Sequence, residues 1–206
     1  MDKSSIKNAL SALDKHSALE LRPGSLYLIL APRRLGRLLM NSFAARLALV
    51  GGVRILDSGN WFDALAVARQ VRRQTAQLGQ VLGRVQVQRA FTCYQAAVLL
   101  NQQPSGREPV LVLDLLSTFA DESVPLNERA RLLDQAVADL RRLSSLAPTA
   151  VSAAPTPSGA DGVGLPAGHP ARFTAPLPAM LAQLEDAADQ VVHLMLPEGA
   201  VQPALW

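Results

Sequence analysis

One cysteine, Cys93, stands in 206 residues. A lone thiol excludes an internal disulfide and a cysteine-based zinc cluster, and the ordinary place for such a residue is a small, buried apolar position. No apolar run reaches the roughly 18 to 20 residues that cross a bilayer. The opening "MDKSSIKNALSALDK" also has no apolar stretch of the kind a secretory signal requires. The expectation from these absences is a cytoplasmic chain with no membrane partner. Lysine is missing after Lys15: Lys3, Lys7 and Lys15 are the only ones, and every later positive charge is arginine. Arginine's planar fork suits phosphate and carboxylate, although GC-rich codon usage favours the same residue. The three histidines, His16, His169 and His193, are too scattered for a metal site.

What is present is the composition of a globular protein, 49% hydrophobic and 18% charged with a net charge of +3. A chain of this length can bury about 70% of the surface its unfolded form exposes, so a single domain over residues 1–206 is expected. An opening helix over Ser5–Leu21 carries Ile6, Leu10, Leu13 and Leu21 on one face and stops before "RPG". Strands are expected at "SLYLILA", "VRILDSGN", "RVQVQRA", "PVLVLD", "TAVSAA" and "ADQVVHLML".

Between the strands the 3.6-residue period predicts helices. They run from Gly36 to a left-handed cap at Gly51–Gly52, from Trp61 to Leu78, over "TCYQAAVLLNQQ" with Thr92 as N-cap, from Leu126 to Leu146 and from Leu177 to Ala187. Strands that alternate with helices imply an α/β fold with a mostly parallel sheet and helices on both faces. Pro155–Pro178 is dense in Pro and Gly and reads as a long loop, and residues 197–206 as a tail.

The first strand, loop and helix have the layout of a phosphate-binding P-loop. GxxxxGK[ST] wraps phosphate with backbone N–H groups, reaches it with Lys and holds magnesium with a hydroxyl. The aligned residues are Ala31, Pro32, Arg33, Arg34, Leu35, Gly36, Arg37 and Leu38. Only the second glycine is kept, Pro32 removes an amide donor, and Leu38 has no oxygen for magnesium. A helix N-terminus beside Arg33, Arg34 and Arg37 still attracts anions. "PVLVLD" has the form of a Walker B strand, ending in Asp114.

The order of these segments resembles the RecA-like ATPase core, and within it the archaeal and eukaryotic strand-exchange recombinases and their paralogues. "RVQVQRAFTCYQAAVLL" is similar to that family's third-strand segment. "LVLDLLSTFADESVPLNERARLLDQ" is similar to its Walker B strand, following turn and next helix, and "DAADQVVHLML" to its late strand. The resemblance spans about Arg22–Leu196 and implies a RecA-like P-loop core. It also shows what is missing. The family's water-activating glutamate follows the second strand in "D-x-E-G-x-F"; "LDSGNWFDAL" keeps Asp57, a glycine and Phe62, but that position falls at Ser58 or Gly59, and Asp63, the candidate substitute, lies inside the expected helix. Its polar sensor on the fifth strand is matched only by Ser152.

By the same resemblance two loops face DNA. The first, Thr118–Arg129, offers Arg129 next to an acidic pair, Asp121 and Glu122; the second, Pro155–Pro178, offers His169, Arg172 and, for stacking, Phe173. Arg69, Arg72 and Arg73 fit a solvated helix face, with Leu65, Ala68 and Val71 on its apolar side. Trp61 and Trp206 are candidates for interface anchors, the first equally for core packing and the second equally for a chain end.

The resulting expectation is a pseudo-ATPase with no cofactor and no catalytic or metal-binding residue. Its phosphate-site remnant is Arg33, Arg34, Gly36, Arg37 and Asp114. Such a protein serves DNA recombination or repair as an accessory, through a recombinase or other protein partner, a homo-oligomer, and DNA. The alternatives are an active ATPase that binds ATP through an atypical P-loop, without magnesium, and a scaffold with no DNA role.

Overall fold

The computed structural model describes residues 20–154 and 176–194. The expected opening helix over Ser5–Leu21, most of the Pro155–Pro178 loop with His169, Arg172 and Phe173, the 197–206 tail and Trp206 therefore lie outside the described residues, except that Glu20 and Leu21 are not helical.

Runs of four or five residues rich in Leu, Ile, Val and small residues form the middle of the sheet. β1 (Leu26–Leu30), β2 (Val53–Asp57), β4 (Val110–Leu113) and β5 (Thr149–Ala153) are buried along their whole lengths. Apolar side chains on both faces of a strand require cover on both sides, which parallel strands joined through helices supply. β3 (Val85–Arg89) and β6 (Gln190–His193) are the edges, and all pairings are parallel in the order β3-β2-β4-β5-β1-β6. The register sets Leu28 against Val151 and Leu56 against Val112.

Alternate residues of each strand feed two cores. Tyr27, Ile29, Ile55 and Leu113 pack with helices α1 (Arg33–Val50), α2 (Ala64–Arg72) and α3 (Leu78–Leu82). Leu28, Leu30, Leu56 and Val112 pack with α4 (Cys93–Asn101), α5 (Leu126–Ser144) and α6 (Pro176–Ala187). The α/β class read from the alternating elements thus holds, as an all-parallel sheet with helices on both faces, the arrangement of RecA-like and Rossmann-type cores. Among the described residues no helix is long and apolar enough to cross a membrane.

Several boundaries differ from the sequence reading. The helix expected from Trp61 to Leu78 is shorter at both ends: Asp63 caps α2 by accepting the Ala66 N–H (2.9 Å), leaving Trp61 and Phe62 in the preceding loop, α2 ends at Arg72, and α3 begins only at Leu78. Leu65 is exposed, and Val67 and Val71 are the residues that α2 buries. Gly51 is extended, not left-handed, and donates its N–H to the Leu47 carbonyl. Thr92 is the N-cap of α4, its hydroxyl accepting the Gln95 N–H (3.2 Å). A six-residue 3₁₀ helix over Leu115–Ala120, not anticipated, follows β4. Cys93 is fully buried, and burial raises its thiol pKa.

Candidate functional site

The loops at the carboxyl ends of β1, β2 and β4 are where a RecA-like or Rossmann-type sheet gathers its functional side chains. Only Ala31 and Pro32 lie between β1 and α1. The helix begins at once: the Leu35 and Gly36 N–H groups both donate to the Pro32 carbonyl (2.9 and 3.0 Å). Amides that a phosphate loop would turn toward a ligand are here part of the first helical turn.

Trp61 fills the space beside that turn. It is fully buried, and a Cβ placed on Gly36 would lie 2.5 Å from the indole Cζ3. The one glycine kept from the phosphate-loop pattern is therefore required for close packing of an aromatic ring. Asn41, on the buried face of α1, fixes the arrangement. Its Nδ2 donates to the carbonyls of Arg37 (2.7 Å) and Trp61 (2.9 Å), and its Oδ1 accepts the Asp63 N–H (2.8 Å). Sequence reasoning passed over Asn41, although a polar residue on the apolar stripe of a helix is a visible signal of a buried hydrogen-bond partner.

Asp57 completes this packing from the end of β2. Its Oδ1 accepts the Trp61 N–H (2.8 Å), its Oδ2 accepts the Phe62 N–H (3.2 Å), and Arg89 Nε lies 3.4 Å from Oδ2. Both carboxylate oxygens hold the loop that carries Trp61.

The remaining remnant residues are similarly engaged. Arg33 donates to the Gly59 carbonyl (2.8 Å), and Arg37 pairs with Asp63 at 3.1 Å on the surface. Arg34 is exposed. Asp63 is thus the cap of α2 and the partner of Arg37, and these contacts, led by the Ala66 N–H, hold its pKa below the usual carboxylate range. It is not placed as a substitute water-activating group.

Asp114 sits in the left-handed region (φ 52°), a conformation Asp tolerates better than most residues. It is 5% exposed, and its N–H donates to the Ser152 hydroxyl (3.0 Å). Burial raises its carboxyl to about 6; Asp57 adds to the rise, while Arg33 and the Ala154 N–H oppose it. A Cβ on Gly59 would lie 2.5 Å from Asp114 Oδ2. Any side chain at 59, a glutamate included, therefore collides with Asp114. Gly59→Ala should cost about 1–3 kcal/mol by overpacking, read as a lower denaturant midpoint at unchanged slope; an unaltered midpoint would refute the contact.

The fit to a nucleotide with magnesium follows directly. The Leu35 and Gly36 amides are bonded to Pro32, the space beside Gly36 is occupied by Trp61, Arg33 is turned to Gly59, and Leu38 offers no hydroxyl. These residues do not fit the group in the manner of a P-loop. Among the described residues no cluster of three or more His, Cys, Asp or Glu could hold a metal ion.

The DNA-facing residues divide. Arg129 is 6% exposed and donates to the Phe119 carbonyl (3.0 Å), bracing the 3₁₀ helix. The exposed charged groups of that loop are Asp121 and Glu122. Arg69, Arg72 and Arg73 are exposed along α2 and beyond its end, and His193 lies exposed on the β6 edge. Trp61 is core packing. A scan against protein-family models and a search of curated proteins both find no match to this chain.

Proposed function

We propose that this chain is a non-hydrolysing member of the RecA-like class that acts as an accessory protein by binding other proteins, in DNA recombination or repair as the resemblance implies. The observation that carries the reading is the joint between β1 and α1. It is two residues long, the Leu35 and Gly36 amides are bonded to the Pro32 carbonyl, and Trp61 occupies the position beside Gly36. Hydrolysis of a nucleotide needs preorganised donors at the phosphates, and the Leu35 and Gly36 amides and the Arg33 and Arg37 side chains have other partners.

A partner surface is supported by β3. This edge strand is exposed from Gln86 to Arg89, and Val87, Phe91, Tyr94 and Val98 lie exposed on it and on the following helix. An unpaired strand edge is a template for pairing with another chain.

Titration of fluorescent ATP with and without magnesium should show no saturable binding at micromolar concentrations; magnesium-dependent binding in that range would overturn the reading. Sedimentation should show self-association or a complex with a recombinase, and a protein that stays monomeric and binds neither recombinase nor DNA fails the proposal. The scaffold reading, with no DNA role, is favoured by the burial of Arg129 beside an exposed acidic pair. DNA binding that falls steeply with salt would count against it.

A further inference from the structure

A second depression opens beside the β1–α1 joint, at the carboxyl ends of β2 and β3 and against the 3₁₀ helix. Its volume is about 220 Å³, and it is lined by Asp57, Ser58, Arg89, Phe91, Ser117 and Thr118, with Gly59, Asn60 and Ala90 completing the wall. It lies where the chain leaves β2 for one face of the sheet and β3 and β4 for the other, the place at which α/β sheets take ligands.

Three groups in it are not accounted for by folding. The Ser58 hydroxyl is buried and has no hydrogen-bond partner, in a residue only 8% exposed. A buried hydroxyl left unpaired costs stability and marks a position where a partner is wanted. Phe91 is 75% exposed, yet its backbone is fixed because its N–H donates to Gln95 Oε1 (2.8 Å). Arg89 is half exposed; Asp57 holds its Nε, and no described residue bonds the Nη edge of the fork.

We infer that this cleft is a binding site for a small planar aromatic monocarboxylate. The ring lies on Phe91, whose exposed face offers offset stacking. The carboxylate takes the Nη edge of Arg89, the planar two-donor geometry that suits it. Charge decides between a carboxylate and a phosphate. Asp57 already balances one arginine, so the pair accepts a single added negative charge better than two. Size decides the rest: about 220 Å³ falls below the roughly 300–1,000 Å³ of sites for drug-sized ligands, room for one ring system and its acid group and not for a nucleoside triphosphate. The cleft uses no residue of the β1–α1 joint, but it shares Arg89 and Phe91 with the exposed β3 surface of the proposed function.

Benzoate and indole-3-carboxylate, titrated into the full chain and followed by amide NMR shifts, should move Ser58, Phe91, Ser117 and Thr118 saturably. A dissociation constant of about a millimolar or tighter is expected for a ligand of this size. Acetate and inorganic phosphate should leave those signals in place. Phe91→Ala should weaken binding at least tenfold. Arg89→Lys, which keeps a cation beside Asp57 and loses the fork, should do the same with an unchanged melting temperature. The inference is overturned by shifts that do not saturate, by phosphate or acetate binding as well as the aromatic acids, or by affinity that survives both substitutions.

Discussion

Trp61→Ala should lower the unfolding free energy by about 3–5 kcal/mol, the usual cost of truncating a large aromatic in a closed core. The indole is fully buried between the loop after β2 and the first turns of α1, so its removal leaves a cavity at the centre of one core. The more telling measurement is a double-mutant cycle with Gly36. In the natural background Gly36→Ala places a methyl 2.5 Å from the ring, and the collision should outweigh the roughly 1 kcal/mol that alanine gains over glycine inside a helix. In the Trp61→Ala background the same change should stabilise. Denaturant unfolding of the four proteins checks this reversal of sign, and two additive effects would show that the glycine is not there for the tryptophan. Trp61→Phe separates ring packing from the polar atom. The indole Nε1 has no partner, so phenylalanine loses volume but relieves an unpaired donor and should cost clearly less than alanine.

The second large effect is a dependence on pH. Asp114 ionises at about 6 in the folded chain, against an ordinary value of 3.8, chiefly because it is buried. Between these two values the folded state holds more protons than the unfolded state, so stability falls as pH rises from about 4 to 6. Above 6 the full cost of ionising the buried carboxyl is present, about 3 kcal/mol at 1.36 kcal/mol per pH unit. Asp114→Asn keeps the shape and removes the charge. The variant should match the natural protein near pH 4 and exceed it increasingly up to pH 7, with a gain of about 2–3 kcal/mol. Midpoints of chemical unfolding at intervals across that range test it. A difference that does not vary with pH would show that Asp114 does not titrate there.

Strand positions and fold class were legible because burial on both faces leaves an unmistakable run of apolar residues, as in "LYLIL" and "VLVL". The late start of α2 was not, because the apolar pair Trp61–Phe62 reads as a helical start until its long-range partner Gly36 is known. The arginines were the other hidden layer. Their number suggested phosphate, but many close helix ends and loops. Arg84 donates to the carbonyls of Ala48 and Leu49 at the end of α1. Arg142 donates to those of Leu100, Asn101 and Gln103 after α4, and Arg141 to that of Asp186 near the end of α6. A cation that donates to terminal carbonyls also complements the helix dipole. Those partners are roughly 40 residues away along the chain, a distance at which local pattern carries no information. The Ser58 hydroxyl and the exposed ring of Phe91 were invisible for the same reason, since each gains its meaning only from neighbours on other strands.

The two-residue joint at Ala31–Pro32 has a consequence for signalling. In a nucleotide-driven machine the first loop is the input, a hinge that reads the bound phosphate and passes its state to the rest of the domain. Here β1 and α1 are welded at Pro32 and pinned by Trp61, so they behave as one rigid lever with no gate between them. On the proposed non-hydrolysing reading, a signal enters elsewhere on the surface.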